Sequence, residues 1–142
     1  MTGGTWLFTG SWRSSIDAER YALISISRSA PRGRRGYRNY SRLCPGHWFR
    51  QPMPAAAWVE RYETEVLGVL DPQTVVDELK AIAGDRPGVL LCWEAAPPDQ
   101  AWCHRGLVSR WLQAKLGLDV PEIGHEERGC GRRHPKLPPN LP

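Results

Sequence analysis

Apolar residues along the chain follow two spacings, one strand-like and one helical, with turn signals between them. Thr5-Trp6-Leu7-Phe8-Thr9, Tyr21-Ala22-Leu23-Ile24-Ser25-Ile26-Ser27 and Val89-Leu90-Leu91-Cys92-Trp93 are short β-branched, aromatic or aliphatic runs, and they predict three strands. The small, nearly continuous apolar makeup of the second suits an interior parallel strand. Gly10-Ser11 stops the first run, and Ser14 or Ser15 is placed to cap a short helical turn through Asp17-Ala18-Glu19-Arg20. From Ala55 to Leu70, Trp58, Val59, Tyr62, Val66, Leu67 and Leu70 recur at helical spacing. Asp71-Pro72 restarts the chain as cap and first helical position, and Val75, Val76, Leu79 and Ile82 then form an apolar stripe that Gly84 ends. A third helix is expected from about His104 to Leu116, closed by Gly117, and Val120-Pro121-Glu122-Ile123 reads as a short edge strand.

The order of these elements predicts an α/β fold: a small three-layer, Rossmann-like domain over residues 1–124, with a mostly parallel sheet of about four strands. Pro31, Gly33 and Gly36 open a long Arg-rich loop, residues 28–54. Residues 125–142, rich in Pro and Arg with few apolar side chains, read as a flexible tail.

Charge alters this picture in one place. The chain carries +4 overall, yet Tyr21 to Val59 holds seven arginines and no acidic residue, leaving −3 elsewhere. Basic residues are mostly Arg, with Lys only at 80, 115 and 136, and the planar Arg fork grips phosphate or carboxylate in two-pronged fashion. A base composition that favours Arg codons accounts for the total but not for the clustering. No run approaches the ~20 apolar residues of a membrane span. MTGGTWLF has no charged region ahead of an apolar core, so no secretory signal is read and a cytoplasmic location is expected. Cys44, Cys92, Cys103 and Cys130 are too scattered for a disulfide framework, and reduced thiols are expected.

Candidate chemistry concentrates between Gly88 and Gly117. An apolar strand ends on Glu94, a Pro-rich loop follows, and Cys103-His104-Arg105 opens the last helix. Open α/β sheets bind ligands at the carboxyl ends of their strands, and a helix N-terminus favours anions. Glu94 and His104 are therefore candidate catalytic groups, an acid-base carboxylate and an imidazole that carries a proton or donates to a ligand oxyanion. Arg28 and Arg105 are candidate anion clamps; alternatively, Arg105 neutralises Glu94 in a structural ion pair. Cys92 reads as a buried small hydrophobe. Cys103 reads either the same way or as a thiol activated by the helix terminus and His104. Cys44 and His47 have ligand spacing, and with Cys103 and His104 would make four zinc ligands. Adjacent Cys and His are not expected to converge on one ion, so no metal site is assigned, and no cofactor is implied. The Arg-rich loop, with Arg34, Arg35 and Arg38 and the aromatics Tyr37, Tyr40, Trp48 and Phe49, has the charge-plus-stacking composition of single-strand nucleic-acid binders. The competing reading is a solvated loop whose aromatics cover the edge of the core. Trp58 and Trp111 read as core, whereas Trp93 and Trp102 flank the proposed site.

SISRSAPR (Ser25 to Arg32), LLCWE (Leu90 to Glu94) and WCHR (Trp102 to Arg105), with Ser11-Trp12-Arg13-Ser14 and Val120-Pro121-Glu122, resemble a bacterial family designated domain of unknown function number four hundred and eighty-eight. The resemblance covers about residues 5 to 124. It implies a compact α/β fold and a ligand site built from those motifs, with Ser11, Arg28, Arg32, Cys103 and Arg105 as ligand-binding residues; it implies no particular reaction. Where many members carry Asp-Val-Arg, this chain has Ser25-Ile26-Ser27-Arg28. Together these readings suggest a protein of nucleotide or nucleic-acid chemistry, acting at an N-glycosidic bond. The alternative is a non-catalytic nucleotide- or nucleic-acid-binding accessory module.

Overall fold

The computed structural model describes residues 4–141; residues 1–3 of the expected domain and residue 142 of the expected tail lie outside it. Strands β1 (Leu7–Ser11), β2 (Ala22–Ser25), β3 (Tyr37–Asn39) and β4 (Gly88–Cys92) form one sheet in the order β1-β4-β2-β3, with every neighbour parallel. Helices α1 (Ala55–Glu65), α2 (Pro72–Ala83) and α3 (His104–Leu116) complete the α/β domain. Asp71 caps α2 by accepting the Thr74 N–H at 2.9 Å, and Gly117 closes α3 in the left-handed region at φ 65°.

Period-two alternation divides the strand side chains between two faces. Leu7, Ile24, Ile26 and Leu90 pack with Val59 and Tyr62 of α1, Val75 and Leu79 of α2, and Leu107 and Leu112 of α3. Leu23, Val89 and Leu91 turn the other way, under Phe8, Trp12, Ile16, Tyr21 and Tyr37. The covering layer on that face is thus irregular chain from the segment after β1, not helix. Cys92 alternates with Leu91 and so faces the helical side, toward the start of α3. Among the described residues no helix is long and apolar enough to cross a membrane.

Three expectations change. The fourth strand comes from the Arg-rich segment, where Tyr37–Asn39 pairs with β2. Residues 120–123 instead contribute a single bridge to the free edge of β1, Thr9 N–H to the Pro121 carbonyl at 2.9 Å and Ile123 N–H to Thr9 at 2.8 Å. The helix expected to reach Leu70 ends at Glu65, followed by a 3-10 turn over Leu67–Val69.

The third change is the tail. Residues beyond Gly124 fold back over α3, burying His134 and Lys136. Gly131 N–H donates to Ser109 Oγ at 2.8 Å, and Cys103 N–H donates to the Lys136 carbonyl at 2.9 Å. Gly106 makes this close approach possible: a Cβ there would lie 2.7 Å from the Lys136 carbonyl carbon and 2.8 Å from Leu137 N. Composition gave little sign of it, because only Leu137 and Leu141 pack on the core and the rest of the segment is held by polar groups that find partners.

Candidate functional site

Loops leaving the carboxyl ends of all four strands surround one cavity of about 680 Å³. Arg13 comes from the loop after β1, Ser27, Arg28 and Ser29 from that after β2, and Phe49 and Arg50 from the segment after β3. Trp93 and Glu94 follow β4, and Trp58, Trp102, Cys103 and His104 close the helical side. The location is the one expected of an open parallel sheet.

The walls are braced by main-chain carbonyls. Trp93 Nε1 donates to the Ser29 carbonyl at 3.0 Å, Trp58 Nε1 to Phe49 at 3.1 Å, and Arg13 Nε to Trp93 at 3.0 Å. Arg28 donates to the Pro45 carbonyl at 3.0 Å and lies over the Phe49 ring, 5.4 Å from its centroid; Arg50 takes the same ring at 5.1 Å. None of the three arginines has a carboxylate partner among the described residues. Trp58 stacks on Tyr62 and meets Trp102 edge-on, with centroids 5.6 and 5.2 Å apart, so it belongs to core and cavity at once.

Glu94 and His104 both line the cavity. Among the described residues the Glu94 carboxylate has no hydrogen bond or ion pair, while its carbonyl accepts from Arg105 at 2.8 Å. His104 is buried and commits Nε2–H to the Ile26 carbonyl at 2.7 Å. Nδ1 therefore keeps its lone pair and faces Cys103 Sγ at 3.7 Å. Burial pushes the imidazole down to about 4; the Ile26 bond opposes this and nearby Arg105 adds to it. His104 is thus neutral and has no N–H left for a ligand oxyanion, which corrects the donor role expected for it.

Arg105 is the larger correction. It points away from the cavity into the protein, fully buried, with Nε 2.9 Å from Glu122 Oε1 and Nη2 2.7 Å from Oε2. Its remaining N–H groups reach the carbonyls of Glu94 and Ala95 and the Cys92 sulfur. Its ion-pair partner is Glu122, not Glu94, and it cannot clamp a ligand. A relay continues the network. The Lys136 N–H donates to His134 Nδ1 at 3.0 Å, so His134 Nε2 carries the proton and donates to Thr9 Oγ at 2.7 Å, and Thr9 donates to Glu122 Oε1 at 2.8 Å. Burial alone would raise the Glu122 carboxyl, but the Arg105 guanidinium outweighs it and, with Thr9 and His134, holds the carboxyl below its usual range.

The other expected site residues disperse. Ser11 is buried beneath the turn, accepting the Arg13 N–H at 3.0 Å. Tyr40 is buried and donates to Glu78 at 2.6 Å, and Tyr37 meets Trp12 edge-on at 5.3 Å, so neither presents a free stacking face. Arg34 lies over Trp12, 5.9 Å from the ring centroid, while Arg32, Arg35 and Arg38 are exposed outside the cavity. Cys44 donates to the Ser27 carbonyl, His47 is exposed, and the four-residue zinc set through them does not assemble.

The expectation of reduced, separate thiols also fails at one pair: the sulfurs of Cys92 and Cys103 are joined. Cys44 and Cys130 are free. The sequence reading missed Arg13 and Arg50 as wall residues and Glu122 as the Arg105 counter-ion, while Phe49, read as a stacking aromatic of the Arg-rich loop, lines the cavity. For Arg13 the available signal was its place just after the first strand; for Glu122 no local pattern pointed across to α3. Comparison with protein-family models, with curated proteins and with solved structures found no match.

Proposed function

We propose that this domain binds a nucleotide in the cavity and acts at its N-glycosidic bond. The observation that carries the reading is the lining: aromatic rings, three arginines without carboxylate partners and one unpartnered carboxylate around a space of about 680 Å³. That volume falls within the ~300–1,000 Å³ usual for small-molecule sites. The rings of Trp93, Trp102 and Phe49 suit a planar base, and Arg13, Arg28 and Arg50 suit phosphate oxygens. In this reading Arg28 keeps the clamp role expected of it, and Arg13 and Arg50 take the one expected of Arg105. Glu94 is the candidate catalytic residue, with its carbonyl fixed by Arg105 and its carboxylate directed to no other protein group. In the reaction, the oxygen of a water bonds to the anomeric carbon as the C–N bond breaks. Glu94 takes one water proton and stabilises positive charge on the sugar, and the departing base takes a proton from solvent.

Calorimetric titration with nucleosides, nucleotides and short oligonucleotides, followed by chromatography for released base, tests this. Glu94→Gln is expected to keep the affinity and lose about 10²–10⁴-fold in turnover. Absence of nucleotide binding, or unchanged turnover in the variant, would overturn the proposal.

A second reading rests on the exposed arginines at 32, 34, 35 and 38, none of which has an ion-pair partner among the described residues. They suit single-stranded nucleic acid leaving the cavity past Arg28, bound without catalysis. Binding should then weaken steeply with salt and with replacement of Arg34, Arg35 and Arg38. Salt-insensitive binding would dismiss it.

A further inference from the structure

The floor of the cavity holds a cluster that the nucleotide reading does not use. One ligand atom each from Cys92, Cys103 and His104 lies within 4.8 Å of the others, and all three residues are buried and line the cavity. The geometry points to a zinc site: the reduced Cys92 and Cys103 thiolates and His104 Nδ1 as three ligands, with the fourth position open toward the cavity.

Four observations support it. Two thiolates and an imidazole are the donor set of a borderline-soft ion such as zinc, and three protein ligands leave one tetrahedral position for water or a ligand. The His104 Nε2–H bond to the Ile26 carbonyl at 2.7 Å fixes the ring with Nδ1 facing the sulfurs, which is the outer-shell bond that ligating histidines usually make. Arg105 donates to Cys92 Sγ at 3.2 Å, a contact that favours thiolate over thiol. Finally, the Cys92 and Cys103 α-carbons stand 7.5 Å apart, wider than the roughly 4.4–6.8 Å that disulfides usually bridge, whereas an ion between the sulfurs accommodates the extra span.

The expectation that neighbouring Cys103 and His104 diverge fails for a local reason. Cys103 is the cap of α3, extended at φ −147° and ψ 152°, so helical geometry does not set its side-chain direction. His104 is the first helical residue, and both reach the same point.

Loading the site takes two balanced steps. A dithiol reductant supplies two electrons and two protons to the Cys92–Cys103 bond, giving two thiols and the oxidised, cyclised reductant. Each thiol then releases its proton to solvent as its sulfur binds the ion.

The test uses the full chain reduced under argon, with thiol titration to verify reduction, then incubated with zinc or cobalt salts and freed of excess ion by gel filtration. One metal per chain is expected, and the cobalt form should show sulfur-to-metal charge-transfer absorption together with tetrahedral ligand-field bands. Cys92→Ser, Cys103→Ser and His104→Ala should each lose the metal, whereas Cys44→Ser and Cys130→Ser should retain it. If the ligand variants do not fold, the cobalt spectrum of the unaltered chain decides the matter. Fully reduced protein that retains no metal would overturn the proposal, as would cobalt bands without thiolate charge transfer or metal persisting in a folded Cys92→Ser/Cys103→Ser variant. Nucleotide binding by metal-free protein is read separately, so failure here leaves the N-glycosidic proposal standing or falling on its own assay.

Discussion

Replacing Glu122 by Gln is expected to be among the most damaging conservative changes in this protein. Both carboxylate oxygens accept from Arg105, at 2.9 and 2.7 Å, and neither side chain of the pair has any exposed surface. Gln keeps one neutral oxygen for Arg105 Nε and Thr9, but turns an amide N–H toward the guanidinium where an anion had been. A buried cation then has no counter-charge, and removing one partner of a buried pair costs about 3–5 kcal/mol. Against the 5–15 kcal/mol typical of whole domains, that leaves a marginal fold. Urea unfolding at pH 7, followed by the fluorescence of the seven tryptophans and by circular dichroism, measures the loss as a lower midpoint at unchanged slope. The double variant Arg105→Met/Glu122→Leu strands no charge and should be less destabilised than Glu122→Gln alone. A Glu122→Gln loss under about 1 kcal/mol, or a double variant worse than the single, would refute the account of Arg105 as a structural cation that requires Glu122.

Two further expectations concern the segment packed on α3. His134 is pushed down from 6.5 to about 4, first by burial and then by Arg105 and Lys136, with Glu122 opposing. The unfolded chain therefore takes up this proton first as pH falls, so stability is intact above pH 6.5 and declines between 6.5 and 4. At 1.36 kcal/mol per unit this one group accounts for about 3 kcal/mol; urea midpoints across that range, with and without His134→Asn, measure it, and an equal acid decline in both would reject the assignment. Gly106→Ala sets a Cβ against the Lys136 backbone, so residues 134–137 must shift, at a cost of about 1–3 kcal/mol. Limited proteolysis should then cut the variant near Arg132 and Arg133 faster than the parent chain, and equal rates would argue against the packing.

How much could be read from sequence follows from which interactions are local. Asp71-Pro72 and Gly117 announce helix ends because caps act within a turn, and α2 and α3 begin and end where those signals lie. The apolar run of residues 89–93 places β4, and with it the position of Glu94, because continuous burial leaves a continuous hydrophobic record. Arg105 misled for the converse reason. A buried Arg and a ligand-gripping Arg are the same letter, and what separates them is Glu122, 17 residues away. Tyr37 and Tyr40 beside arginines carry the composition of a stacking surface, but the register of β3 against β2 turns one toward Trp12, and the chain beyond Asn39 buries the other against α2. Cys103 and His104 failed a rule that holds inside helices, at the one position where the helix has not yet begun.

The C-terminal segment belongs to the site although none of it lines the cavity. The loop over residues 93–103 has no regular structure to satisfy its carbonyls, and two buried cations do so instead. Arg105 takes Glu94 and Ala95 at 2.8 and 3.4 Å, and Lys136 Nζ takes Asp99 and Ala101 at 2.7 and 2.9 Å. Each cation is itself positioned by the returning chain: Arg105 through Glu122, and Lys136 through its own main chain, whose carbonyl accepts the Cys103 N–H and whose N–H binds His134. The same loop carries Glu94 at its start and Cys103 at its end. A preorganised site needs such support behind the side chains that face the ligand. Of the two arginines that sequence inspection reads as anion clamps, Arg105 is therefore spent on holding the loop still, whereas Arg28 lines the cavity with Arg13 and Arg50, and it is these three that the proposed anion would meet.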